Sequence, residues 1–280
     1  MFDFQNLENK LLSDEFLTGA SKYSDYDYIQ LQNYIITSLE EAKHTLKLIS
    51  RYDLHNKNIL EFGSGLGIVS LVLYIQGYLI TSYEPGGLGF EKNLLINKYM
   101  KDFFELDFNL INNLAEIKNN SFDFIFSNNV LEHIDDIENT ISALNEGLTR
   151  GGLMLHNVPN YIIPYEPHFG ILFFPIFPKK MSFLISKKIT ETGLWKSLNF
   201  INTFDIVSYS KKHKVDVVFE KELMYKTIKR IDEDIEFSNR HVGISKIINI
   251  LKKLGLLNSL RFLPASLNTP MVFEWRKRID

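Results

Sequence analysis

The chain has 280 residues, 45% of them hydrophobic, enough for one large α/β domain or for one domain carrying a sizeable insertion. A net charge of −3 excludes a global positive field that would draw it to DNA or RNA, so nucleic acid is not an expected partner. Without a single cysteine, disulfides, thiolate zinc sites and thiol nucleophiles are ruled out, which fits a cytoplasmic setting.

The start MFDFQNLENK lacks a basic stretch followed by an apolar run, and about 18 uninterrupted apolar residues occur nowhere, so neither secretion nor a membrane span is expected. From Tyr28, the apolar residues Leu31, Ile35, Leu39, Ala42, Leu46 and Ile49 recur at helical steps. They predict a helix with Ser24 or Asp25 as N-cap, inside an N-terminal helical segment of residues 1–55. Next, NKNILEFGSGLGIVSLVLYIQGYLITSYEPG reads as a strand (59–62), a glycine turn, a helix (67–76) and a second strand (79–83). That is a βαβ unit, and it implies a parallel sheet. KDFFELDF is read as the third strand and SFDFIFSNN as the fourth, the latter opening after the turn KNNS. A helix follows over 136–148, and RGG ends it before a fifth strand, LMLHNVP.

Composition then shifts. Residues 159–200 hold five of the eight prolines, and FGILFFPIFP is too broken by proline for a regular core helix. This stretch is expected to be an insertion over the sheet's carboxyl edge. Beyond it, FDIVSYSKKHKVDVVFEKE reads as helix then strand and TPMVFEWRKR as a closing strand. Between them, residues 243–258 form an amphipathic helix pattern through Ile244, Ile247, Ile248 and Leu251.

The segment NILEFGSGLG narrows the ligand. A dinucleotide-binding turn needs G-x-G-x-x-G, but the third glycine position, counted from Gly63, holds Ile68. A P-loop fails as well, because no Gly-Lys-Ser/Thr follows. Glu61 would also repel a phosphate close by. Both points favour a nucleotide-like ligand that carries positive charge and no phosphate.

From Asn58 to Asn157 the chain resembles the class I S-adenosyl-L-methionine (SAM)-dependent methyltransferases, with four segments in the family's order. The resemblance implies that Gly63, Ser64, Gly65 and Gly67 approach the methionine and ribose portions of SAM, and that Glu61 orients its ammonium end. Glu84, 21 residues beyond Gly63, matches the acid that accepts both ribose hydroxyls, a task that suits the paired oxygens of a carboxylate. Asp107, with Phe108 beside it, matches the adenine-side position, and Glu105 competes for that role. Ser127 and Asn128 open SNNVLEH, which resembles the segment running beside the methionine moiety and the reacting methyl. A subset of the family, including quinone-pathway O-methyltransferases, has E-x-x-E-H here and uses it to hold a divalent metal. In this chain Asn129 replaces the first carboxylate, and an amide is a weaker ligand for a hard cation, so no metal is assigned.

Methyl transfer to a hydroxyl needs alignment and a base. His133 is the first base candidate, because it follows the fourth strand's loop, and the alternative is a histidine bonding nearby backbone. VPNYIIPYEPHFG brings Tyr161, Tyr165, Glu166 and His168 just beyond the fifth strand, with His168 the second base candidate; the alternative is that these residues only shape the loop. Residues 169–180, aromatic and ending in Lys179 and Lys180, read either as a peripheral membrane contact or as the core of a lid or dimer contact.

The expected fold is a doubly wound, mostly parallel seven-stranded α/β sheet, its last strand antiparallel as the resemblance implies. It comprises a core of residues 56–158 and 201–280, the N-terminal helical segment and an acceptor-side lid of residues 159–200. The expected function is SAM-dependent methyl transfer to a small molecule or glycan at a hydroxyl oxygen, releasing S-adenosyl-L-homocysteine (SAH). The rivals are methylation of a quinone or lipid-linked acceptor at a membrane surface, a non-catalytic SAM-binding partner, and a nicotinamide-dependent oxidoreductase. The oligomeric state stays open.

Overall fold

The computed structural model describes residues 3–87, 89–173, 179, 182–233, 252, 253 and 255–278. The chain forms two compact units, Met1–Asn128 with Ser142–Met154, and Asn129–Ile141 with Leu155–Asp280.

In the first unit, α1 (Phe4–Leu11) and α2 (Asp14–Ala20) are capped by the side chains of Asp3 and Ser13. Helix α3 (Tyr28–Ile49) buries Leu31, Ile35, Leu39, Ala42 and Ile49 of the stripe its periodicity predicts, with Thr45 buried among them and Leu46 only half-buried. Its cap is Asp27 and not Ser24 or Asp25: Asp27 accepts from the Gln30 amide while the Gln30 side chain accepts from the Asp27 amide. Then come β1 (Asn58–Phe62), α4 (Ile68–Ile75), β2 (Leu79–Tyr83), α5 (Glu91–Phe103), β3 (Asn109–Ile111) and β4 (Phe122–Asn128). Helix α6 (Ile137–Gly147) and β5 (Leu148–Val158) contribute residues to both units.

Strands β1 to β4 are parallel: β1 lies between β2 and β4, with Glu61 opposite both Ser82 and Phe126, and β2 pairs onward with β3. Chain order reverses at β1, because β2 lies on one side of it and β4 on the other; open parallel sheets take their ligands at the carboxyl ends of such a point.

The third strand is displaced from its expected place. KDFFELDF ends helix α5 and turns at Glu105, whose φ of 52° closes the helix in the left-handed region. The aromatic pair that reads as strand in fact packs Phe103 and Phe104 on Phe16, with ring centroids 5.1 and 6.3 Å away. Pairing with β2 begins only at Asn109.

The second unit adds β6 (Tyr165–Glu166), β7 (Ile171–Leu172), α7 (Lys187–Thr190), α8 (Gly193–Ser197), α9 (Thr203–Lys212), β8 (Val215–Phe219), α10 (Leu223–Glu233) and β9 (Met271–Lys277). Residues 159–200 carry an aromatic core of their own, in which Tyr161, Phe173, Trp195, Leu198 and Phe200 are buried. The Tyr161 and Trp195 rings meet Phe200 at steep angles, with centroids 5.0 and 5.3 Å away. Strands β8 and β9 pair antiparallel, as the resemblance implied, with Val217 opposite the fully buried Trp275.

The complete sheet has seven strands in the order β3-β2-β1-β4-β5-β9-β8, and β6 and β7 form a separate hairpin. Most of the amphipathic pattern over 243–258 and most of FFPIFP lie outside the described residues. Among the described residues no helix is long and apolar enough to cross a membrane.

Candidate functional site

Strand β1 delivers the glycine turn at its carboxyl end. The amides of Gly63 and Ser64 both donate to the Tyr83 carbonyl at 2.9 Å, which ties the turn to the end of β2. All three glycines have positive φ, 77°, 55° and 81° at Gly63, Gly65 and Gly67, a conformation that side chains resist. Gly67 also packs tightly: a Cβ there would come within 2.4 Å of the Asn97 side chain, whereas one on Gly65 would meet nothing within 4 Å. Gly67→Ala should therefore cost about 3 kcal/mol, left-handed strain plus collision, and Gly65→Ala only about 1 kcal/mol. Equal losses in thermal unfolding would show that no such difference exists.

Glu84 follows β2 and is almost fully buried. One carboxylate oxygen accepts from the Gly65 amide at 2.7 Å and the other from the Gly86 amide at 3.2 Å. Burial pushes its carboxyl up to about 7 against these two bonds. A carboxylate offers about four lone-pair positions, so two remain for a ligand's hydroxyls. The acid thus organises the glycine loop. The open space beside Gly65 and a buried carboxylate with lone pairs to spare at the same turn fit the adenosine end of SAM.

Asn97 is the member of this site that the sequence reading overlooks. Its side-chain amide donates to Ser64 Oγ at 3.0 Å and to the Gly65 carbonyl at 3.2 Å. Asn93, one turn earlier on α5, accepts from the Tyr34 hydroxyl at 2.6 Å. Both asparagines are buried beside Ile96 and Met100. Polar residues four apart on the apolar face of a helix were the available signal.

Glu61 is also buried, and its Oε2 accepts from the Ser70 hydroxyl at 2.5 Å. Desolvation raises its carboxyl to about 8, while the Ser70 hydroxyl and amide pull it down and nearby Glu84 adds to the rise. Its contact in the structure is thus with the first turns of α4.

Asp107 and Phe108 do not occupy the place expected of them. They precede β3 instead of following it, and so lie at its amino end, away from the end of β2 that carries Glu84. There they line a cavity of about 630 Å³ with Asn58 and Leu79, the first residues of β1 and β2. The residues that do leave the carboxyl end of β3 are Asn112 and Asn113. Ser127 is buried near the end of β4, and Asn128 is that strand's last residue.

In the second unit, a short 3₁₀ turn, Leu131–His133, carries Glu132 and His133. Asn199 clamps it: its side chain donates to the carbonyls of Leu131 and Ile134, and its amide donates to that of Glu132. Glu132 is fully buried, with Oε1 4.0 Å from His133 Nε2. His133 Nδ1 lies 2.8 Å from Ser197 Oγ, and burial followed by the neighbouring His168 lowers the imidazole to about 3. His168 Nδ1 sits 2.5 Å from Glu166 Oε1. Glu166 is fully buried and also accepts from the Tyr161 hydroxyl at 3.1 Å and the Phe169 amide at 2.8 Å. The two base candidates, 35 residues apart in the chain, thus come together with ring centroids 5.2 Å apart. Nothing in the sequence marks Ser197 and Asn199 as their supports.

Comparison with known proteins shows the fold and the family. An uncharacterized protein of Mycobacterium tuberculosis is 29% identical over 232 residues, which cover 79% of this chain and 78% of that one. A SAM-dependent methyltransferase from Mesorhizobium loti shares the fold at 13% identity, with a TM-score of 0.53 over 84% of this chain and 98% of its own. Phosphoethanolamine N-methyltransferase 2 of Haemonchus contortus, solved in complex with SAM, does so at 16% identity and a TM-score of 0.50 over 99% of this chain. This chain spans only 60% of that enzyme's length. A family model described as a methyltransferase domain matches residues 32–203, more than half of the sequence, so the chain belongs to that family.

Proposed function

We propose that the protein transfers a methyl group from SAM to a small molecule or glycan, at a hydroxyl oxygen. The observation that carries the cofactor assignment is Glu84: a buried carboxylate after β2 that bridges the amides of Gly65 and Gly86 at a left-handed glycine turn. Such a site accepts a diol and tolerates a cation, while the acid disfavours a pyrophosphate. The Haemonchus contortus neighbour, which shares this fold, was solved with SAM bound.

Transfer forms an acceptor O–C bond as the methyl C–S bond breaks, its electron pair returning to sulfur and leaving neutral SAH. The hydroxyl proton must go elsewhere, and His133 and His168 are its assigned recipients. The burial that holds His133 neutral also makes it a weak proton acceptor, which leaves His168, whose Nδ1 meets the Glu166 carboxylate, as the first recipient. Residues 159–200, with their own aromatic core, are assigned to the acceptor. A small acceptor agrees with the net charge of −3, which gives nucleic acid no broad attraction.

Calorimetric titration with SAH, with NADH as the control ligand, tests the assignment. Micromolar SAH binding with no response to NADH is expected. Binding of NADH instead would move the protein to the oxidoreductases, and SAH binding without turnover across an acceptor screen would favour a non-catalytic partner.

A further inference from the structure

Glu132, His133 and His168 each offer a ligand atom, and these atoms all lie within 4.8 Å of one another. We propose that this cluster is a binding site for a divalent transition-metal ion, with two imidazole nitrogens and one carboxylate oxygen as protein ligands. The sequence alone does not assign one, because Asn129 removes a carboxylate from its turn; His168, 35 residues beyond His133, supplies a third ligand in its place.

The surroundings fix the histidines as ligands need to be fixed. The Ser197 hydroxyl has one proton and donates it to the Leu194 carbonyl at 2.8 Å, so toward His133 it acts as acceptor. His133 therefore carries its proton on Nδ1, which makes Nε2 the lone-pair nitrogen of the neutral ring. At His168 a carboxylate does the same work, because the ring Nδ1–H donates to Glu166 Oε1. Glu166 is held in turn by the Tyr161 hydroxyl and the Phe169 amide. A carboxylate behind a ligating imidazole is the usual outer support of a metal site: it sets the tautomer and raises the basicity of the other nitrogen.

Ligand chemistry selects the metal class. Two imidazoles with one carboxylate suit zinc, iron, cobalt or nickel over magnesium and calcium, which favour all-oxygen sets. Three protein ligands leave coordination positions for water or substrate. Bonds near 2.0 Å bring tetrahedral ligand atoms to about 3.3 Å of one another, so the 4.0 Å between Glu132 Oε1 and His133 Nε2 must close by less than about 1 Å, and a pair as wide as 4.8 Å by about 1.5 Å. Glu132 is fully buried and His168 has 22% of its side chain exposed, so the cluster has a solvent-accessible side.

In methyl transfer such an ion, held by Glu132, His133 and His168, would supply Lewis acidity that makes an acceptor hydroxyl easier to deprotonate. With the ion bound the two imidazoles would serve as ligands, and without it they keep the role of proton acceptors. This consequence rests on the methyltransferase reading, whereas metal binding itself does not.

The test begins with chelator-stripped protein, titrated calorimetrically with Zn²⁺ and with Mg²⁺ as control, and followed by visible absorption after Co²⁺ addition. One equivalent of Zn²⁺ should bind, Mg²⁺ should bind at least 100-fold more weakly, and Co²⁺ should show the ligand-field bands of a low-symmetry site. His168→Ala should weaken Zn²⁺ at least 100-fold, and Glu166→Gln about tenfold. SAH affinity, measured on the same samples, reports whether each variant is folded and whether the cofactor assignment stands. Wild-type protein that takes up Zn²⁺ no more tightly than His168→Ala, with unchanged SAH affinity, would overturn the metal site alone and return His168 to the role of base.

Discussion

Glu84→Ala should lower SAH affinity at least 100-fold. The carboxylate is expected to accept two ribose hydroxyls, and each bond to a charged acceptor contributes about 1.5–3 kcal/mol. Losing both removes about 3 kcal/mol or more, and every 1.4 kcal/mol is tenfold in the binding constant. The truncation also deprives the Gly65 and Gly86 amides of their acceptor, which loosens the turn that the ligand must meet. Glu84→Gln should recover little, because its amide group replaces one accepting oxygen with a donor aimed at a backbone N–H. Calorimetry with SAH measures the loss, and circular dichroism of the same samples shows whether the fold is kept. A folded Glu84→Ala protein that binds SAH within threefold of the wild type would refute the assignment.

Much of the cofactor-binding unit is legible because its chemistry is local. The strand before Gly63, the helix after Gly67 and the strand before Glu84 are consecutive, and hydrophobic periodicity places each within a residue or two. The third strand is misplaced because two phenylalanines that look like strand residues serve a tertiary contact with Phe16, which no local pattern reveals. That shift carries Asp107 and Phe108 away from the adenine role with it. Long-range pairings are equally hidden: Ser197 against His133 and Asn199 against Leu131 span more than 60 residues and depend on how residues 159–200 fold back. Glu166 and His168 are visible as a pair because only Pro167 separates them.

Glu61→Gln should flatten the pH dependence of stability. Burial raises the Glu61 carboxyl from 4.5 in the reference state to about 8, so between these values the native state holds a proton that the unfolded chain has lost. Stability tied to this group is therefore complete below about pH 4.5 and declines as pH rises, with about 5 kcal/mol at stake once pH passes 8. Glu84, raised to about 7, contributes in the same direction over a narrower window. Glutamine resembles the protonated acid, can still accept from the Ser70 hydroxyl, and does not titrate. The variant should match the wild type within about 1 kcal/mol at pH 4.5 and exceed it by more than that at pH 8.5, in urea unfolding at both pH values. A difference between the two proteins that stays constant with pH would show that Glu61 does not carry this proton. The same variant separates the two roles open to this acid. If Glu61 also orients the ammonium of SAM, the bound cation favours the ionised carboxylate, so SAH should bind more tightly as pH rises toward 8 in the wild type and lose that dependence in Glu61→Gln. If it only anchors α4 through Ser70, both proteins should share whatever pH dependence Glu84 imposes.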